Sequence, residues 1–273
     1  MKRNYIILSV LSIAFTCFLF SCSIKRSYLS NEQLERISDS ITAEARVLYV
    51  YEKNSWQAED ALVEHCSNLD QINGNIDKPA GGMALSTIYY NYEDSIVYFE
   101  CFNDVINRKF IFRDTIRKLT QNELDSIAWK IRIVEAGKRV KVDIDYPNAT
   151  FNKQFINVGN GIVRTYCMMG TSEHGVIPFG NDYSYDTDDE GNLIASRRYH
   201  GAYLPTPVFG EEGNPVEMIF HTHIDYTNPW FTPTDLCLYW LYCAERGLNV
   251  PFMIANRYGS MISTCGFDAS LFE

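Results

Sequence analysis

The chain has 273 residues, with 46% hydrophobic and 14% aromatic content, so it has enough apolar surface for one large domain or two small ones. Its formal charge of −10 and pI near 5.0 argue against a nucleic-acid partner and against electrostatic binding to an anionic membrane surface.

At the N-terminus, Lys2 and Arg3 precede an uncharged run from Tyr5 to Phe20, followed by Ser21 and Cys22. A positive start, an apolar stretch shorter than the ~20 residues of a membrane-spanning helix, and a small residue before a cut describe a secretory signal. With cysteine at the first mature position, the stretch resembles the lipobox of bacterial lipoproteins. That resemblance implies a signal peptide at 1–21, a lipid on Cys22, a tether over 22–29 and a protein anchored in a bacterial cell envelope. Ser23, where an aspartate would signal retention, favours the outer membrane. Export also changes how the other six cysteines read, since an oxidising compartment permits disulfides, while buried free thiols are the alternative.

After the tether, Ser30-Asn31-Glu32-Gln33 forms a capping box. Leu34, Ile37, Ile41, Ala45 and Leu48 follow at helical spacing, and a second helical stretch covers roughly 56–67. Asn73, Gly74, Asn75, Pro79, Gly81 and Gly82 mark an irregular loop. "STIYYNY", "SIVYFECF" and "KFIFRD" are β-branched and aromatic segments separated by turn residues, which predicts an antiparallel meander. Thr120-Gln-Asn-Glu123 opens another helix, through about Ile131, and the alternation in "RVKVDID" predicts a strand over 139–145. Pro147-Asn148 places a soft boundary, leaving an α+β region over 30–148 with no evident chemistry.

Beyond it come a strand or helix at 161–169, a strand in "EHGVIPF", and a polar hairpin around "DTDDEGNL". Asp186, Asp188 and Glu190 alternate as in a calcium loop, but position twelve is Arg197 where a bidentate acid is needed, so the segment reads as a turn. "PVEMIFHTH" predicts a strand, Pro233 opens a helix through Arg246 with Gly247 as its cap, and two strands close the chain around Tyr258-Gly259-Ser260.

The chemistry concentrates in "FHTHIDYTNPWFTPTDL", residues 220–236. Residues i and i+2 of a strand point the same way, so His221 and His223 can face one point. Asp235, in the first turn of the next helix, supplies a third ligand, and two imidazoles, a carboxylate and a water make a catalytic zinc arrangement. Asp225 is an alternative carboxylate. Glu217 shares the strand face but stands ~13 Å from His221. His174 neighbours Glu173 but should face the other way, while His65 and His200 have no supporting context and read as ordinary surface or core histidines. Only fifty residues follow His223, too few for the barrel an amidohydrolase would need. The later histidine of a cupin and the Pro-Cys-x-x-Cys of a nucleobase deaminase are both missing.

His221-x-His223 followed by Thr232-x-x-Asp235 resembles the signature of JAB/MPN (JAMM) metalloproteases, which reads Glu, then His-x-His, then Ser-x-x-Asp. Glu173 in "SEHGVIPFG" stands for the upstream glutamate, and the resemblance covers about residues 150–273. It implies an α+β fold with a JAB/MPN-like, cytidine-deaminase-like mixed sheet flanked by helices, preceded by the smaller N-terminal region. It further implies Zn2+ held by His221, His223 and Asp235, Glu173 as general base, and Thr232 in place of the serine that stabilises the oxyanion. The expected activity is hydrolysis of a peptide or isopeptide bond in a peptide or protein substrate. The alternative is a non-catalytic JAB-like binding module of the envelope.

Overall fold

The computed structural model describes residues 30–141, 150–171, 173–210, 213–223, 230–243, 247–248, 250–256 and 259–263. The proposed signal peptide, Cys22 and the tether lie outside these residues, as do Asp225 and most of the strand expected over 139–145. No helix among the described residues is long and apolar enough to cross a membrane.

Helix α1, Asn31–His65, begins at the expected capping box: Ser30 Oγ accepts the Gln33 amide at 3.2 Å and Gln33 Oε1 accepts the Ser30 amide at 2.9 Å. It runs unbroken where the sequence pattern suggested two helices. Asn54 and Ser55 are weak helix formers that compete for backbone hydrogen bonds, but both side chains are held by other parts of the chain. The Asn54 amide donates to Thr87 and Asp77, and Ser55 Oγ accepts from Gln154.

Four strands follow: β1 (Gly74–Pro79), β2 (Ala84–Asn91), β3 (Ile96–Asp104) and β4 (Lys109–Lys118), antiparallel in the order β1-β2-β3-β4. The meander was expected; β1, within the Asn/Gly/Pro-rich segment, was not. It pairs only with β2 in this sheet, and its proline is its last residue, where a missing amide costs least. Helix α2 (Gln121–Gly137) starts at the Thr120–Glu123 capping box. Glu123 also receives a two-pronged contact at 2.9 Å from Arg117, tying the helix start to β4.

The second half holds an antiparallel sheet β5-β6-β8-β9 (Phe151–Gly159, Ile162–Met169, Tyr183–Asp188, Leu193–Arg198) and an antiparallel pair of β7 (Val176–Gly180) with β10 (Tyr203–Pro207). A mixed sheet β11-β12-β13 (Ile219–Thr222, Phe252–Asn256, Gly259–Ser263) completes it, with β11 parallel to β12. Helix α3, Pro233–Tyr242, lies between the two parallel strands in sequence, making β11-α3-β12 a strand–helix–strand crossover. The molecule is therefore α+β.

All ten residues of α3 are buried, as expected of a helix apolar all round. Around it gather Ile177 and Phe179 of β7, Phe252 and Ile254 of β12, and Ala45, Leu48, Tyr49 and Val50 of α1. Tyr49 meets Trp240 edge-on at 6.1 Å and Trp56 meets Tyr242 at 5.3 Å. The largest core thus combines residues from both sides of Pro147. The five cysteines described, Cys66, Cys101, Cys167, Cys237 and Cys243, are all free thiols.

Candidate metal centre

Strand β11 alternates buried and exposed, with Ile219 and His221 inward and Phe220 and Thr222 outward. His223, one residue past the strand, continues the inward series, its amide donating to the Ala255 carbonyl of the parallel neighbour at 3.0 Å. Both imidazoles therefore project from the carboxyl end of a parallel strand, the usual place for a ligand site in such crossovers. His221 is wedged between the rings of Phe179 and Phe252, each with its centroid 5.2 Å away.

Helix α3 delivers the carboxylate. Thr232 is its N-cap and Pro233 its first residue. Thr232 Oγ1 accepts the Asp235 amide at 3.0 Å while Asp235 Oδ2 accepts the Thr232 amide at 2.8 Å. This reciprocal cap fixes the Asp235 rotamer and leaves Oδ1 buried with no hydrogen-bond donor of its own. The Thr234 hydroxyl donates to Asp182 Oδ2, so the 2.7 Å contact between the Thr232 and Thr234 hydroxyls is donated by Thr232. With one proton per hydroxyl, Thr232 is fully committed to holding the start of the helix.

A fourth group completes the cluster. His200, only 5% exposed, presents Nε2 to the same point, 3.0 Å from His223 Nε2 and 3.2 Å from Asp235 Oδ1. His221 Nε2 lies 2.8 Å from His223 Nε2 and 3.5 Å from Asp235 Oδ1, and His223 Nε2 is 3.4 Å from Asp235 Oδ2. The four ligand atoms all lie within 4.8 Å of one another. A tetrahedron of bonds ~2.05 Å long has edges of ~3.3 Å. Five of the separations, 2.8–3.5 Å, are near that size, so the four side chains could hold a metal ion.

The surroundings of His221 and His223 agree with that fit, while those of His200 favour its protonated form, so a metal there would have to displace a proton. Burial is the main influence lowering His221, to about 4, and it lowers His223 as well, so both stand as neutral imidazoles with a lone pair to offer. At His200 burial pulls the same way, but the carboxylates of Asp182 and Asp235 overcome it and hold the ring well above its usual value. Burial would raise Asp235, yet the three imidazoles, His200 foremost, keep it ionised. Asp182 Oδ1 takes the Nδ1 proton of His200 at 2.6 Å, which turns Nε2 toward the cluster. This is the carboxylate–histidine pairing that orients metal ligands.

Of the residues singled out from sequence, His221, His223 and Asp235 come together here. Thr232 adjoins them as the helix cap. Glu173 sits apart, exposed in the turn before β7. Its backbone amide donates to Thr171 Oγ1 at 3.0 Å, and its carboxylate has no partner among the described residues. His200 and Asp182 carry no sequence signal. What joins them to the site is the β8–β9 register, which pairs Tyr183 with Arg198 and so brings Asp182 and His200 to the same strand ends. No family model matches the chain, and neither a curated protein nor a solved structure does.

Proposed function

We propose that the protein is an exported, zinc-dependent hydrolase of the JAB/MPN type, cleaving an amide bond in a peptide or protein of the bacterial cell envelope. The observation that carries the reading is the convergence of three imidazole nitrogens and one carboxylate on a single buried point. The order of ligands supports it too, with His-x-His at a strand end and the acid in the first turn of the next helix. A zinc ion bound there would act as a Lewis acid, polarising the scissile carbonyl and lowering the pKa of water. The family resemblance gives Glu173 the role of base, taking the proton from the attacking water and returning it to the leaving amine as the C–N bond breaks; exposed in the turn before β7, it would have to swing toward the cluster to do so. Thr232 holds Asp235 through the helix cap, and Asp182 holds His200; the oxyanion role that the family resemblance gives Thr232 would require its hydroxyl to leave Thr234. The lipid at Cys22 would keep the domain at the outer membrane, where envelope peptides are the substrates within reach.

A second reading rests on His200. Four protein ligands make a closed site, the usual form of structural zinc, whereas catalytic sites keep one position open. That would make the domain a non-catalytic envelope module stabilised by metal.

The test is metal content by mass spectrometry of the full chain in detergent, beside His223→Ala and Asp235→Ala. About one zinc per chain, lost in both variants, is expected; no zinc in the parent after metal is restored would overturn the proposal. A cobalt-substituted sample then separates the two readings. An open position changes the visible spectrum when a hydroxamate is added, and a closed site does not.

A further inference from the structure

Away from the metal cluster, a cleft of about 420 Å³ opens between α1, β1, α2 and β5. This is the size of a small-molecule site, and its composition suits one: aromatic walls with a few charged groups. Tyr51, Trp129 and Phe155 supply the walls, and Asp77 and Lys130 the inner charges.

The two inner charges are each half satisfied. Asp77 Oδ1 accepts from Asn54 Nδ2 at 3.0 Å and Thr87 Oγ1 at 2.6 Å, which leaves Oδ2 without a partner among the described residues. Lys130 Nζ donates to the backbone and side-chain oxygens of Asn75, both at 2.9 Å, and lies 5.2 Å from the centre of the Phe155 ring. An ammonium carries three protons, so one donor remains. Asp77 and Lys130 sense each other's charge, yet no ion pair joins them among the described residues. Burial is the largest influence on both, raising Asp77 and lowering Lys130. Two opposite charges that line one cleft, each with a hydrogen-bonding valence to spare and no ion pair between them among the described residues, leave a place for a molecule that carries both complements.

We propose that the cleft binds an α-amino acid with an apolar or aromatic side chain. Its ammonium would sit on Asp77 Oδ2, its carboxylate on the third donor of Lys130, and its side chain among Tyr51, Trp129 and Phe155. A simple cation is disfavoured by Lys130 and a simple anion by Asp77, whereas a zwitterion satisfies both signs. The site is independent of the proposed zinc chemistry.

The probe is L-phenylalanine, titrated calorimetrically into the full chain in detergent, with N-acetyl-L-phenylalanine and L-phenylalaninamide as analogues that each lack one charge. Saturable binding below about 1 mM is expected, with at least tenfold weakening for either analogue. Asp77→Asn, which keeps an oxygen for Asn54 and Thr87, and Lys130→Met each weaken L-phenylalanine at least tenfold while the thermal midpoint stays within a few degrees. No heat at about 10 mM ligand, or equal affinity for either blocked analogue, overturns the proposal. Should a variant fail to fold, the three ligands on the parent protein still decide.

Discussion

Glu52 is a carboxylate 1% exposed, facing β5 from the middle of α1, and neutralising it changes stability in a pH-dependent way that can be worked out. Burial is the main influence on its pKa, outweighing hydrogen bonds from Gln154 at 3.0 Å and Asn152 at 3.4 Å, and raises it from 4.5 to about 7. A raised carboxylate pKa means the folded protein holds the proton more tightly than the unfolded chain. Stability therefore falls as pH rises from 4.5 through 7, and is lowest above that window. That rise from 4.5 to about 7, at 1.36 kcal/mol for each tenfold in proton affinity, gives about 3 kcal/mol between pH 4.5 and pH 8. Glu52→Gln removes the charge and keeps one acceptor for Gln154, at the expense of about 1 kcal/mol for the rearranged contact to Asn152. The variant is then about 2 kcal/mol more stable than the parent at pH 8 and about 1 kcal/mol less stable at pH 4.5. Urea denaturation of the full chain with chelator present, at both pH values, measures the difference, and pH-independent costs cancel in it. A change of less than about 1 kcal/mol in the variant's advantage between the two pH values would refute the argument.

Three further outcomes follow from the site. Asp182→Asn loosens the orientation of His200 and lowers zinc affinity about 10–100-fold, read by chelator competition. Thr232→Ala removes the helix cap and destabilises the protein by about 1 kcal/mol, seen as a fall in thermal midpoint, and Thr232→Ser restores most of it. Gly180→Ala is worse, because Gly180 has φ +87° and a Cβ there would lie 2.0 Å from the Ala202 carbonyl oxygen. A loss of at least about 2 kcal/mol is expected in denaturant titrations, with zinc content falling as the adjacent Asp182 shifts.

Local chemistry in the chain was enough for much of this architecture. The capping boxes at Ser30 and Thr120, the Pro233 helix start and the aromatic meander are written in contiguous residues, because each depends on contacts three or four positions apart or on simple alternation. For the same reason His221, His223 and Asp235 were legible as a ligand set: a strand's two-residue period and one helical turn are enough to aim them. The single long α1 was not legible, because Asn54 and Ser55 are made tolerable in a helix only by partners 33 and 99 residues away. The strand character of β1 was likewise supplied by its pairing with β2. His200 and Asp182 show the same limit at the site itself. They are eighteen residues apart with no motif between them, and only the β8–β9 register makes them neighbours and turns the ring toward the other ligands. Short-range stereochemistry determined which residues could bind a metal, while long-range pairing decided how many of them meet at one point and left the charges of Asp77 and Lys130 lining a common cleft.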